Sequence, residues 1–169
     1  GGAGFIGSNL VDVLIERNID VVIIDNLSTG KLENINKKAI FLKHDLCSIK
    51  LSELIDICNG VDVIFHLAAL ARVQPSIDNP LPYHASNVTA TLNILYAAYK
   101  SKVKRVVYSA SSSCYGNSIK TPQKESDITN PLSPYGLQKY IGEQYCSLFS
   151  QVYKLDTVSL RYFNVYGER

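Results

Sequence analysis

A tyrosine and a lysine stand four positions apart in Tyr135-Gly136-Leu137-Gln138-Lys139, and a serine run, Ser111-Ser112-Ser113, precedes them. On a helix such a pair lies on one face, one turn apart. A free tyrosine, with a pKa of about 10, is a poor base at neutral pH. A neighbouring ammonium favours the phenolate and lowers that value. The tyrosine can then take a proton from an alcohol or return it, while a serine hydroxyl holds the same oxygen and shares its developing charge. The spacing also occurs in helices where the tyrosine packs and the lysine is solvated, and serine runs are common in loops. The order of the surrounding elements has to decide.

The chain opens on Gly1-Gly2-Ala3-Gly4-Phe5-Ile6-Gly7. Glycines allow a tight turn and a close approach to a pyrophosphate, and a following helix N-terminus favours that negative charge. The G-x-x-G-x-x-G spacing differs by one residue from the G-x-G-x-x-G dinucleotide fingerprint, and glycines alone would also suit a turn that packs a helix on a strand. Asp25 adds to them. It ends a β-branched run, where a carboxylate can accept from adenosine ribose hydroxyls and would repel a 2′-phosphate. This favours NAD over NADP, although Asp25-Asn26 is also ordinary strand-end turn chemistry.

These residues need a scaffold. Apolar periodicity from Ile6 to Ile15 predicts a helix after the glycine loop. Short apolar runs predict strands at Asp20–Asp25, Ala39–Leu42, Val61–Leu67, Val103–Ser109 and Thr157–Tyr162. Between them, helices are expected at Ile49–Cys58, stopped by Asn59-Gly60, at Tyr83–Lys102, and from an N-cap at Ser133 to Tyr153, with Pro134 at the first helical position. Gly116 to Asn130 reads as a polar excursion. Alternating strands and helices predict an α/β fold with a doubly wound parallel sheet. A phosphate loop needs a preceding strand to aim it. The expectation is therefore a piece of a longer protein that lacks its central first strand and is poorly stable alone.

Composition narrows the partners. The chain has 169 residues, 46% of them hydrophobic, and a net charge of +2. That suits one core and no polyanionic partner. The basic clusters are too short for a nucleic-acid footprint, and no apolar run approaches a membrane span. Cys47, Cys58, Cys114 and Cys146 are scattered and read as reduced packing residues of a cytoplasmic protein. His44, His66 and His84 show no ligand spacing with cysteine or acid, so no metal site is expected. His66 reads as a packing or hydrogen-bonding residue, Glu125 and Asp127 as solvated, and Tyr115 as packing.

Over all its residues the chain resembles the extended short-chain dehydrogenases/reductases, and more closely the NAD-dependent nucleotide-sugar epimerases of the UDP-glucose 4-epimerase type. The segments that carry this are Gly1–Gly7, Val22–Leu27, His44-Asp45-Leu46, His66-Leu67-Ala68-Ala69, Asn87, Ser109–Gly116, Pro134–Lys139 and Arg161-Tyr162-Phe163-Asn164. The resemblance implies a Rossmann-like sheet and a partial NAD-binding domain over residues 1–169, without the carboxyl-terminal substrate domain. It assigns catalysis to Ser111, Tyr135 and Lys139. Gly1, Gly4, Phe5, Ile6, Gly7, Asp25, Asn26, Asp45, Leu46, Leu67, Ala68, Ala69, Tyr135, Lys139 and Tyr162 would hold NAD, and Ser111, Ser112, Ser113, Tyr135 and Asn164 a UDP-sugar. Lys139 would also reach the nicotinamide ribose.

The sugar-nucleotide 4,6-dehydratases carry Thr-Asp-Glu where this chain has Ser111-Ser112-Ser113, and serine cannot do that acid/base work at neutral pH. The expected reaction is C4 epimerisation through a 4-keto sugar, of UDP-glucose and UDP-galactose. The alternatives are UDP-N-acetylglucosamine or UDP-glucuronate, or a related dehydratase or reductase. The chain departs from the galactose-type pattern at Ala71, where a lysine is usual, and at Val165 to Arg169. A homodimer through the helices at Tyr83–Lys102 and Ser133–Tyr153 is implied for the intact protein.

Overall fold

Five short strands, each built on an apolar run, pair in the computed structural model, which describes residues 1–169. They are β1 (Val22–Asp25), β2 (Ile40–Lys43), β3 (Val63–His66), β4 (Arg105–Ser111) and β5 (Asp156–Tyr162). All pairings are parallel. The helices are α1 (Phe5–Glu16), α2 (Leu51–Cys58), α3 (Val73–Asp78), α4 (Pro80–His84), α5 (Ala90–Lys100) and α6 (Pro134–Tyr153). The α/β alternation and parallel pairing match the expectation.

A parallel sheet lacking its central first strand is expected from the sequence, and the pairing accords with it. The strands do not form a single ladder: β1 pairs with β2, and β3, β4 and β5 form a separate sheet in that order. Gly1 lies between the two sheets. Its nitrogen donates to the carbonyl of Ile24 on β1 at 2.5 Å. A Cβ built on Gly1 would stand 2.5 Å from the Ala68 nitrogen, just beyond β3.

Other borders shift for local reasons. β1 and β3 are shorter than the apolar runs suggested, because only Val22–Asp25 and Val63–His66 find ladder partners. β4 runs on to Ser111, which stays in register with Tyr162 of β5. The helix expected at Tyr83–Lys102 is divided into α4, a π-helical turn at Ala85–Thr89, and α5. Within that turn Asn87 points its side chain away from its own helix. It accepts from the Leu70 N–H at 2.8 Å and donates to the Leu70 carbonyl at 3.0 Å and to Gln138 at 3.2 Å. Thr91 follows by donating to the Asn87 carbonyl at 2.7 Å. Such turns are known to concentrate near functional sites.

α6 begins as the sequence predicts. The Ser133 hydroxyl accepts from the Gly136 N–H at 3.0 Å, and Pro134 occupies the first turn. The main core gathers buried side chains from α2, α5, β4 and α6, with Leu54, Leu95 and Val106 among the most enclosed.

Candidate active site

The chemistry-bearing residues sit at the carboxyl ends of the strands. β4 ends in Ser109, Ala110 and Ser111, all buried. The Ser111 hydroxyl accepts from the Ser113 N–H and donates to the Ser113 hydroxyl, each at 3.1 Å. This pair starts the short turn Ser112–Tyr115 and fixes the serine run against the strand end.

α6 supplies Tyr135 and Lys139. Tyr135 is half-buried at the helix start, and its backbone N–H donates to the hydroxyl of Ser76 in α3 at 3.1 Å. Lys139 is buried. Its ammonium donates to the Ser109 carbonyl at 2.9 Å and lies 5.1 Å from the centroid of the Tyr108 ring. Burial pushes the Lys139 pKa down to about 8, so the group remains largely an ammonium at pH 7. Tyr135, Lys139 and Ser111 to Ser113 line one cleft of about 580 Å³, together with Gly1, Gly4, Phe5, Ile6, Gly7, Leu67, Ala69, Tyr162 and Asn164. No aspartate or glutamate lines it.

A second recess adjoins the first through Gly1, Gly4, Leu67 and Ala69, and adds Asp25, Asn26, Asp45, Leu46 and Ala68. Every residue assigned to a site from sequence therefore lines one of two connected recesses. Asp25 is buried. Its two oxygens accept from the Ala3 N–H at 3.0 Å and the Leu27 N–H at 2.8 Å. A carboxylate has further lone pairs, so it can still accept from hydroxyls. Across the recess Asn26 donates to Asp45 at 3.1 Å. The Cys47 N–H holds Asp45 below the usual carboxylate range.

The loop fits a dinucleotide pyrophosphate. α1 begins at Phe5 without a side-chain cap and without an acidic residue in its first turn, which leaves its first N–H groups as donors for an anion. Gly7 permits the tight approach, since a Cβ there would lie 2.2 Å from the Gly1 carbonyl oxygen.

Ser76 escaped the sequence reading, and Arg161 is named there without a role of its own. Ser76 lies in α3, a helix too short to give a periodic signal. Arg161 makes a two-pronged ion pair with Glu143 of α6 at 2.9 and 2.5 Å, and donates to the Tyr115 hydroxyl at 2.8 Å and the Glu125 carbonyl at 3.1 Å. Tyr115, for which the sequence favours packing over lining the substrate cleft, is buried outside the cleft lining and also receives a hydrogen bond. His66 is buried as expected, with Nε2 2.9 Å from the Thr91 hydroxyl. Thr91 gives its one proton to Asn87, so His66 is the donor.

Comparison with known proteins points to one family. The model of the NAD dependent epimerase/dehydratase family matches residues 1–169. A Methanocaldococcus jannaschii protein, provisionally named UDP-glucose 4-epimerase, is 46% identical over all of this chain and 55% of its own length. The structure of a UDP-N-acetylglucosamine 4-epimerase from Methanobrevibacter ruminantium, in complex with UDP-N-acetylmuramic acid, superposes with a TM-score of 0.94 at 44% identity, over 99% of this chain and 54% of that one. The Thermus thermophilus UDP-glucose 4-epimerase, in complex with NAD, gives 0.92 at 35% identity over 100% of this chain and 55% of that one. The chain spans about half the length of the curated relatives it matches.

Proposed function

The chain belongs to the NAD dependent epimerase/dehydratase family, and on that premise we propose that it is the cofactor-binding and proton-transfer part of a nucleotide-sugar 4-epimerase. Residues 1–169 form the NAD-binding domain in this reading. Substrates of the UDP-glucose and UDP-galactose type fit the names of most of the relatives.

The observation that carries the reading is the composition of the cleft. Tyr135, Lys139 and Ser111 share it with the glycine loop, and no carboxylate does. Water elimination needs a carboxyl acid/base that this cleft does not offer, whereas epimerisation needs one base used twice. Tyr135 takes the proton of the sugar C4 hydroxyl and later returns it. Lys139 brings a positive charge to the same cleft, one helical turn from Tyr135. Ser111 donates to the same sugar oxygen as charge develops there. Gly1, Gly4, Gly7 and Asp25 would hold NAD, which would supply a reversible hydride acceptor at C4 with no net redox change. Asn164 and Ser112 to Ser113 hold the sugar nucleotide.

A second substrate reading, UDP-N-acetylhexosamine, is favoured by the 44% identity to the UDP-N-acetylglucosamine 4-epimerase. The intact protein forms a homodimer in this proposal, supported by exposed Leu137, Leu148 and Val152 on α6 and Leu81 on α4. Its four free cysteines support a cytoplasmic setting. No helix is long and apolar enough to cross a membrane.

The test is incubation of the full-length protein with UDP-galactose and a catalytic trace of NAD, with UDP-N-acetylgalactosamine in parallel. Equilibration of either sugar with its C4 epimer, without net NADH, is expected. Tight NAD binding with no conversion of either would remove both substrates and leave another nucleotide sugar, such as UDP-glucuronate, or NAD binding without catalysis.

A further inference from the structure

Lys139 is buried without a counter-ion. The ionisable groups packed around it come from three elements: Tyr135, Glu143 and Cys146 on α6, His66 on β3, and Tyr108 on β4. Glu143 is already paired to Arg161. Burial pushes the Cys146 thiol up to about 11 and the His66 imidazole down to about 3, so both are neutral near pH 7. The ammonium is left with one carbonyl, that of Ser109, and one aromatic face, that of Tyr108.

Tyr108 is built into this position. It is almost wholly buried. Register places it beside His66, with the rings 5.8 Å apart. Its hydroxyl donates to the carbonyl of Lys139 itself at 3.3 Å. The helix makes room for that hydroxyl at Gly142, where a Cβ would stand 2.3 Å from the Tyr108 oxygen. Glycine inside a helix costs about 1 kcal/mol relative to alanine, so the contact is one the fold accommodates at a cost.

We propose that Tyr108 is a positioning residue for Lys139: its ring face carries the ammonium and its hydroxyl fixes the same residue's backbone, which keeps the lysine charged in a buried position one helical turn from Tyr135. This rests on the reading of Lys139 as the partner of the base. A cation over an aromatic face is stabilised more as the site loses water, and here no anion competes for the role.

The test compares two near-isosteric replacements in the full-length protein, Tyr108→Phe and Tyr108→3,4,5-trifluorophenylalanine. Both lack the hydroxyl and differ only in the charge of the ring face. The Lys139 titration is read by NMR of ¹³Cε-labelled lysine, with Lys139→Met to assign the signal. Fluorination is expected to lower the Lys139 pKa by about 0.5 to 1.5 units relative to Phe. The alkaline limb of turnover should move down in pH by the same amount. Equal pKa values in the two proteins would overturn the proposal. A pKa shift in a protein that turns over no nucleotide sugar would support the Tyr108–Lys139 contact while removing the epimerase reading.

Discussion

At the scale of single residues, Lys139 and His66 both have lowered pKa values, and each makes stability depend on pH in its own window. Lys139 titrates near 8 in the fold and at its ordinary, higher value when unfolded. Between those values the unfolded chain binds more protons, so stability rises with pH. Lys139→Met should therefore melt higher than the parent at pH 7, with the gap closing as pH rises through about 8 and beyond. A gap independent of pH would show that the lysine charge is not what the fold opposes. The same variant should lose turnover, a direct exchange of stability for activity. His66 stays neutral down to about 3 in the fold, while the unfolded imidazole protonates at about 6.5. Stability should fall as pH drops through that range, and His66→Gln should flatten the decline in acid unfolding curves. Tyr135→Phe removes only the proton acceptor. Turnover should drop by about 10²-fold or more with NAD affinity unchanged, and calorimetric titration alongside kinetics separates the two.

At the scale of elements, α6 is held at its start by two serines from different places. Ser133 caps it locally and Ser76 reaches it from α3. Ser76→Ala should cost about 1 kcal/mol, and it should lower kcat more than it raises KM, because the lost bond ends on the Tyr135 backbone. Equal loss in both parameters, or none, would count against a positioning role. Gly142→Ala should destabilise by about 1–3 kcal/mol through overpacking against Tyr108, measurable by urea denaturation. The sequence showed α6 well because its cap, its proline and its Tyr-x-x-x-Lys pair are all local. It showed the existence of all five strands, since each contains a short apolar run between polar turns. It did not show α3, whose six residues are too few for a periodic signal and include Pro75. Nor did it show the π-helical turn, because the partners of Asn87 are at Leu70 and Gln138, contacts fixed through space. Tyr108 was invisible for the same reason: its meaning depends on Gly142 and Lys139 crossing above it.

At the scale of the whole molecule, the two sheets have unequal support. The main core draws no buried residue from α1, β1 or β2. Native-state amide exchange should find β1 and β2 opening at lower free energy than β3, β4 and β5. Uniform protection across all five strands would contradict that picture. Added NAD should raise protection most in the first half, by mass action on the folded loop. The site divides along the same line. Asp25, Asn26 and Asp45 belong to the β1–β2 side, whereas Ser111, Tyr135, Lys139 and Tyr162 belong to the β3–β5 side. The two groups meet only around Gly1, Gly4, Leu67 and Ala69. For an engineer the two recesses are separate handles: Asp25, Asn26 and Asp45 can be altered without changing any residue that lines the cleft of Tyr135 and Lys139.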